Sequence, residues 1–231
     1  MHSSNIEMLQ TVAKGLEGLT EEMVFVGGAV AELYASHPEL SDIRPTLDVD
    51  CVIELQSRIH LAKLEDDLRR IGFANDISED APICRWVYKG IKVDIMPSDP
   101  TLLGFSNAWY NEGIENKIVK ILPDKTEINV FAPEYYLAAK FEAHNGRGGN
   151  DLRQSHDFED IIYILGNCDE LLNRFKKSNE TVKEYLKEQC INLLSNDGLE
   201  EGIESALPYG SEEEEIEIIM ELIQNIAEPK W

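Results

Sequence analysis

The chain has 231 residues, of which 43% are hydrophobic and 28% charged, as in a globular protein with one large domain or two small ones. No apolar run approaches the roughly 20 residues that a membrane-spanning helix needs. The first 19 residues do not show a basic region followed by an apolar core. The sequence therefore predicts a cytoplasmic protein with neither a signal peptide nor a membrane segment.

The net charge is strongly negative, at −23, and it is unevenly distributed. Residues 197–231 alone contain eleven acidic side chains and one Lys. Such a surface repels nucleic acid at long range, because non-specific binding depends on Lys and Arg side chains that neutralise phosphates. The charge favours a cationic small molecule or a basic protein as a partner, although a solvated acidic face that aids solubility is the simpler explanation.

The first half of the chain alternates between predicted helices and predicted strands. Helices are predicted over residues 3–19, which begin with a capping Ser3 or Ser4, and over residues 29–37 and 59–71. Strands are predicted over MVFVGG (23–28), RPTLDVDCVIEL (44–55), CRWVYKG (84–90), IKVDIMPS (91–98) and TEINVFA (126–132). The strands 84–90 and 91–98 meet at Lys89-Gly90, which is typical of a β-hairpin.

The second half of the chain shows helical patterns only. Helices are predicted over residues 133–144, 155–166, 168–177, 180–195 and 211–227. The sequence therefore predicts an α/β domain over residues 1–131 and an all-helical C-terminal domain over residues 132–231.

Two carboxylates interrupt the apolar pattern of the strand 44–55. Side chains alternate between the two faces of a strand, so Asp48 and Asp50 lie on one face, while Val49 and Cys51 lie on the other. Neighbouring like charges disfavour a strand unless a positive charge lies between them. The pattern therefore predicts that Asp48 and Asp50 share a cationic ligand or partner.

A third carboxylate, Asp94, occupies the equivalent position in the strand 91–98, between the apolar residues Val93 and Ile95. If this strand neighbours the strand 44–55, three carboxylates converge on one face of the sheet. Hard divalent cations such as Mg²⁺ prefer carboxylate oxygens and phosphate oxygens as ligands. Two such ions can hold the attacking and the leaving oxygen in line at a phosphorus atom.

A double glycine, Gly27-Gly28, marks the corner between the strand 23–28 and the helix that follows. Glycines at such a corner let the backbone approach a ligand, and the start of a helix presents unpaired N–H groups to a phosphate. A tight turn also explains the pair. Each of these motifs is weak evidence for a site when taken alone. Their order along the chain is stronger evidence: a glycine corner, then a strand with Asp48 and Asp50, then a hairpin with Asp94.

In these motifs the sequence resembles the nucleotidyltransferase superfamily, whose fold is that of DNA polymerase β. The family's glycine corner matches Gly27 and Gly28, its paired acids match Asp48 and Asp50, and its third strand acid matches Asp94. The resemblance implies a mixed sheet and a site with two Mg²⁺ ions and a nucleoside triphosphate (NTP). It further implies that Asp48, Asp50 and Asp94 are metal ligands and that Asp94 helps to activate an acceptor hydroxyl.

The start of the helical half resembles the AbiEii-type nucleotidyltransferases, toxins of bacterial toxin–antitoxin and phage-defence systems. The resemblance lies in the helix that carries Lys140 and in the acidic motif His156-Asp157-Phe158-Glu159-Asp160, in which His156 stands where those proteins have Lys. It implies that Lys140 contacts the NTP phosphates and that Asp157 is a second essential polar group. His144 and His156 lack the partners of a zinc site and are interpreted as polar surface residues.

The sequence therefore predicts an Mg²⁺-dependent nucleotidyltransferase that moves a nucleoside monophosphate from an NTP to an acceptor hydroxyl. The acceptor stays open between tRNA, a protein and a cationic small molecule such as an aminoglycoside, and an antitoxin protein is a further expected partner. A catalytically inactive module that keeps the fold and binds a partner is the alternative of another class.

Overall fold

The computed structural model describes residues 3–147, 151–211 and 213–229, and these residues form two compact units. The first unit comprises the described residues of Met1–Val30 and Arg44–Ala132. The second comprises those of Ala31–Ile43 and Pro133–Trp231. Among the helices of these residues, none is both long enough and apolar enough to cross a membrane.

The first unit is built on a mixed sheet of seven strands. The strands are β1 (Met23–Val26), β2 (Asp48–Ile53), β3 (Ala74–Asn75), β4 (Arg85–Tyr88), β5 (Ile91–Pro97), β6 (Lys117–Ile121) and β7 (Glu127–Phe131). Their order in the sheet is β3-β4-β5-β2-β1-β7-β6. The pairs β2–β5 and β1–β7 are parallel, and the other pairs are antiparallel. The mixed sheet and the hairpin predicted at Lys89-Gly90 are thereby confirmed.

Four α-helices accompany the sheet in the described part of this unit. They are α1 (Ser4–Leu16), α2 (Arg58–Arg70), α3 (Pro100–Leu103) and α4 (Tyr110–Glu115). Ser3 caps α1, because its hydroxyl accepts a hydrogen bond from the backbone N–H of Ile6. The short helix predicted at residues 29–37 is a 3₁₀ helix over Gly28–Tyr34.

A buried Asn on α1 fixes the chain that leads into β2. The side chain of Asn5 donates a hydrogen bond to the carbonyl of Arg44 and accepts one from the N–H of Thr46, at 3.1 and 3.0 Å. The Thr46 hydroxyl in turn donates to the carbonyl of Asp48 and accepts from its N–H, at 2.7 and 3.2 Å. These bonds set the position at which the first carboxylate of β2 projects.

The second unit is helical, as the sequence predicts. Its helices in the described residues are α5 (Pro133–Arg147), α6 (His156–Asn167), α7 (Leu171–Lys177), α8 (Glu180–Leu194), α9 (Leu199–Ala206) and α10 (Glu213–Ala227). The sequence patterns did not predict α9, because Gly202 interrupts its short helical period. This glycine lies where a Cβ would be 2.8 Å from the Cβ of Leu152, so close packing accounts for it.

One segment groups differently from the predicted domains. The described contacts place Ala31–Ile43 with the helices, although the sequence assigned it to the domain 1–131. The N–H of Ser36 donates to the carbonyl of Asn167 at 2.8 Å, and the hydroxyls of Ser41 and Tyr163 lie 2.7 Å apart. These polar contacts join the segment to α6, and no local sequence pattern announces them.

The turn of the β4–β5 hairpin has positive φ angles at both of its residues, 49° at Lys89 and 81° at Gly90. A two-residue turn of this kind favours Gly and Asn. Gly90→Ala is therefore expected to lower the free energy of unfolding by about 1 kcal/mol, because an L-residue is strained there while the space around it is open. Urea unfolding checks this. Gly18→Ala, also in open space but without a positive φ, is the matched control and should leave stability unchanged or raise it by up to about 1 kcal/mol, because it only restricts the unfolded chain.

Candidate active site

The sheet register brings the three predicted carboxylates onto one face. Asp50 of β2 is the direct partner of Asp94 in the parallel strand β5, and Asp48 lies two residues before Asp50 on the same face. On the other side of β5, Arg85 of β4 is the direct partner of Asp94. Three carboxylates and one guanidinium therefore lie side by side on the neighbouring strands β4, β5 and β2.

Arg85 supplies a positive charge to Asp48, one of the two carboxylates for which the pattern of β2 predicts a shared cation, and to Asp94. Its Nε donates to Asp94 Oδ1 at 2.8 Å, and its Nη2 donates to Asp94 Oδ2 at 2.7 Å. The same Nη2 donates to Asp48 Oδ2 at 3.1 Å. The side chains of Arg85 and Asp94 are 18% and 11% exposed, so this two-pronged pair is well shielded from water.

The neighbouring carboxylates keep the side chain of Arg85 positively charged. The hydrogen bond to Asp94 raises the pKa of the Arg85 guanidinium above its ordinary value, although partial burial opposes this. The charges of Asp94, Asp48 and Asp50 act in the same direction as the hydrogen bond. Arg85 therefore stays charged wherever the protein is folded, and it neutralises part of the repulsion between the carboxylates.

Arg85 is not among the predicted site residues, although the sequence contains the information that places it beside Asp94. In a hairpin with a two-residue turn at Lys89-Gly90, Tyr88 pairs with Ile91. Counting back from that pair places Arg85 opposite Asp94. The proximity of Asp48 needed the adjacency of β2 and β5, which no local pattern specifies.

Gly27 lies against the remaining carboxylate. Its φ is +71°, and a Cβ at this position would overlap the carboxylate of Asp50. Both observations favour glycine, because a side chain would be strained and would displace the acid. Gly28, the other predicted phosphate contact, begins the 3₁₀ helix Gly28–Tyr34. A role of this corner in binding phosphate stays a prediction.

The chemistry of the three carboxylates fits a hard divalent cation, since all the donors are oxygen atoms with negative charge. Their arrangement is that of an ion-paired cluster. Within residues 3–147, 151–211 and 213–229, no three side chains of His, Cys, Asp or Glu are placed so that they could hold one metal ion together. Arg85 engages Asp48 and Asp94, so a metal ion at these two carboxylates would compete with a guanidinium.

A second cluster of charges lies inside the helical unit, around Lys140 of α5. Its ammonium group is 3.2 Å from Asp157 Oδ1 and 2.6 Å from Asp160 Oδ2, both on α6. The three side chains are at most 10% exposed. The ammonium also lies 5.8 Å from the ring centre of Tyr136, within the range of a cation–π contact.

Arg147, at the end of α5, completes this cluster. It donates to both carboxylate oxygens of Asp157, at 2.9 and 3.2 Å. Burial raises the pKa of Asp157, but the hydrogen bond from Arg147 and the charge of Lys140 hold it below its ordinary value. These contacts tie α5 to α6. Contacts of Lys140 and Asp157 with a nucleotide stay a prediction.

The surface interpretation of His144 is wrong. The residue is only 8% exposed, and its Nδ1 lies 2.7 Å from the hydroxyl of Ser155, the residue that caps α6. The ring also packs near Phe158. His144 faces the interior because α5 is buried along most of its length, which a weakly amphipathic sequence does not reveal. His156, in contrast, is 75% exposed and pairs with Glu159.

Comparison with solved structures shows which known fold this arrangement matches. The chain is similar to an antigenic nucleotidyltransferase-like protein from Paracoccidioides brasiliensis, with 17% sequence identity and a TM-score of 0.51 over 89% of this chain and 94% of that one. It also matches a protein named as a "putative nucleotidyltransferase" from H. pylori, at 15% identity and a TM-score of 0.49 over 96% and 93% of the two chains. No protein-family model and no curated protein matches the sequence. The chain thus has a nucleotidyltransferase-like fold with a helical C-terminal region.

The buried ion pairs of Lys140 make a prediction about stability. Lys140→Met should lower the free energy of unfolding by about 3–5 kcal/mol, because it leaves Asp160 charged and buried without its ammonium partner. Urea unfolding of the full chain measures the effect. Lys183→Met, which removes an exposed pair with Glu180 in the same unit, is the control and should cost less than about 1 kcal/mol. The double variant Lys140→Met/Asp160→Leu should recover most of the loss; equal stability of Lys140→Met and wild type would contradict the structural role.

The burial of His144 makes a prediction about pH. Burial lowers the pKa of this imidazole, and the charge of Asp157 only partly offsets the effect. The unfolded chain then binds more protons than the folded one below about pH 6.5, so the free energy of unfolding should fall as the pH drops through that range. His144→Gln should flatten this part of the profile in pH-dependent urea unfolding, whereas His156→Gln should keep it. An unchanged slope in His144→Gln would show that other groups cause it.

Proposed function

We propose that this protein is an Mg²⁺-dependent nucleotidyltransferase, which moves a nucleoside monophosphate from an NTP to an acceptor hydroxyl and releases pyrophosphate. The observation that carries the proposal is the convergence of Asp48, Asp50 and Asp94 on one face of a sheet. This sheet belongs to a chain whose fold resembles that of a nucleotidyltransferase-like protein. Three carboxylates on one face of neighbouring strands repel each other, and the single guanidinium of Arg85 offsets only part of this repulsion, which leaves a net attraction for a further cation.

The residues of the proposed site have distinct roles. Asp48, Asp50 and Asp94 would hold two Mg²⁺ ions, whose chemistry is to neutralise and orient the phosphates of the NTP. Asp94 would also help to accept the proton of the attacking hydroxyl. Gly27 leaves room for the carboxylate of Asp50, and Lys140 with Asp157 would act on the phosphates or the acceptor. Positioning and charge neutralisation provide most of the catalysis in this class of reaction.

The proposed acceptor is a tRNA or a protein, as in an AbiEii-like toxin, and the corresponding partner would be an antitoxin protein. The net charge of −23 supports a second candidate, a cationic acceptor such as an aminoglycoside, which an acidic protein attracts rather than repels. The ion pairs of Arg85 with Asp48 and Asp94 support a third, a catalytically inactive module that keeps the fold and binds a partner.

Transfer of a radioactive nucleotide tests these candidates together. The protein is incubated with Mg²⁺ and each α-³²P-labelled NTP, in the presence of tRNA, of lysate protein or of an aminoglycoside mixture. Wild type should label one of these pools, and Asp48→Asn or Asp50→Asn should reduce labelling by about 100-fold or more, because the charge that holds the cation is lost. Asp66→Asn, at an exposed acid of α2, is the control and should label as wild type does.

The pattern of labelling distinguishes the candidates. Label in tRNA or protein supports the toxin-like activity, and label in the antibiotic pool supports the cationic acceptor. Measurable binding of Mg²⁺ and NTP without label means that the acceptor is another hydroxyl compound. The absence of both label and nucleotide binding would contradict the enzymatic proposal and support the binding module.

A further inference from the structure

Arg85 joins the carboxylates of Asp48 and Asp94, and it contacts three of their four oxygens. Its two-pronged contact uses both oxygens of Asp94, and one of its nitrogens also reaches Asp48. The guanidinium comes from β4, the strand on the far side of Asp94, and it lies directly opposite that residue. The side chain therefore reaches across β5 toward β2, over the face on which the carboxylates converge.

A guanidinium and a divalent cation compete for these oxygens, because both are attracted by the same negative charges and Arg85 already occupies one lone-pair direction of each oxygen. Mg²⁺ binds carboxylate oxygens at about 2.0–2.1 Å and demands near-ideal octahedral geometry around itself. The N–H groups of Arg85 now point at both oxygens of Asp94 and at Oδ2 of Asp48. A metal ion at the same oxygens would also be held within a few ångströms of a positive charge, in a place shielded from water.

We propose that Arg85 is a positioning residue that competes with the divalent cation for Asp48 and Asp94. In the cation-free protein it keeps the two carboxylates together, and it must release them when the cation binds. This inference rests on the proposed function and adds a regulatory property to the same site. It means that the site binds a divalent cation weakly on its own, because each binding event must first break the ion pairs of Arg85.

The NTP is expected to shift this competition. Its triphosphate supplies further oxygen ligands for the cation, and it supplies negative charge with which a released guanidinium can pair. Cation and nucleotide should therefore bind with positive coupling in the wild-type protein. Loss of Arg85 should raise the affinity for the cation alone and reduce this coupling.

Titration with Mn²⁺, followed by the electron paramagnetic resonance signal of the free ion, measures the competition directly. The full chain without nucleotide is compared with Arg85→Gln, Arg85→Lys and Arg70→Gln. Arg85→Gln should bind Mn²⁺ about tenfold or more tightly than wild type, because removing a competing charge at close range leaves three carboxylates for the metal. Arg70→Gln removes an exposed Arg that pairs with Asp67 on α2, and it should bind as wild type does.

Arg85→Lys serves as the conservative variant and carries the test if Arg85→Gln does not fold. A Lys ammonium lacks the fork that engages both oxygens of Asp94, so its competition should be weaker and the Mn²⁺ affinity intermediate. Melting temperatures provide an independent readout. Without cation Arg85→Gln should melt below wild type, since its carboxylates repel, and added Mn²⁺ should raise its melting temperature more than that of wild type.

The inference is overturned if Arg85→Gln binds Mn²⁺ no more tightly than wild type. If Arg85→Gln does not fold, the inference is overturned when Arg85→Lys keeps the wild-type affinity. It is also overturned if neither variant binds the ion. These outcomes are distinguishable from failure of the proposed function. Transfer of nucleotide by wild type without a gain of affinity in the variants removes the competition and keeps the enzyme. A gain of affinity with neither transfer in any pool nor nucleotide binding keeps the competition and removes the enzyme.

Discussion

The arrangement of the sheet depends on the balance between three like charges and one opposite charge. The parallel pairing of β2 and β5 brings Asp48, Asp50 and Asp94 to one face. Without a cation, the repulsion between these carboxylates would oppose the pairing. Arg85 offsets that repulsion through a shielded, two-pronged pair with Asp94 and a third bond to Asp48. The register of the β4–β5 hairpin is what places the guanidinium there, so the tight turn at Lys89-Gly90 has a direct electrostatic consequence.

In the helical unit, a Lys instead of an Arg joins neighbouring carboxylates. Lys140 lies between Asp157 and Asp160, and Arg147 adds a second positive charge to Asp157. Here the positive and negative charges are equal in number, and most of the group is buried. The cluster therefore balances its own charges, and removal of one of them should lower the free energy of unfolding. The strand cluster, in contrast, has more carboxylates than cations, which leaves it with a net attraction for another cation.

Local patterns predicted those features that depend on neighbouring residues in the chain. They include the alternation that exposes Asp48 and Asp50 on one face, the β4–β5 turn, and the start of α1. The same patterns were insufficient where the structure depends on distant contacts. The adjacency of β2 and β5 joins residues more than 40 positions apart, the segment Ala31–Ile43 is held by α6, and the burial of His144 follows from the packing of α5 against other helices. Arg85 lies between these cases, because its partner Asp94 follows from the hairpin while its partner Asp48 does not.

Asp50 is the feature that most sharply separates an enzyme from an inactive copy of the fold. The ion pairs of Arg85 account for the placement of Asp48 and Asp94 in structural terms, and an inactive module could keep them for stability. The carboxylate of Asp50 instead lies against Gly27, a backbone position whose φ of +71° already favours glycine and whose missing side chain makes room for that acid. Under the proposed function this third acid has a use, because it adds the negative charge that lets a divalent cation compete with Arg85. An NTP, itself negatively charged, would then be attracted to the carboxylates only together with a cation, so that metal and nucleotide arrive as one ligand.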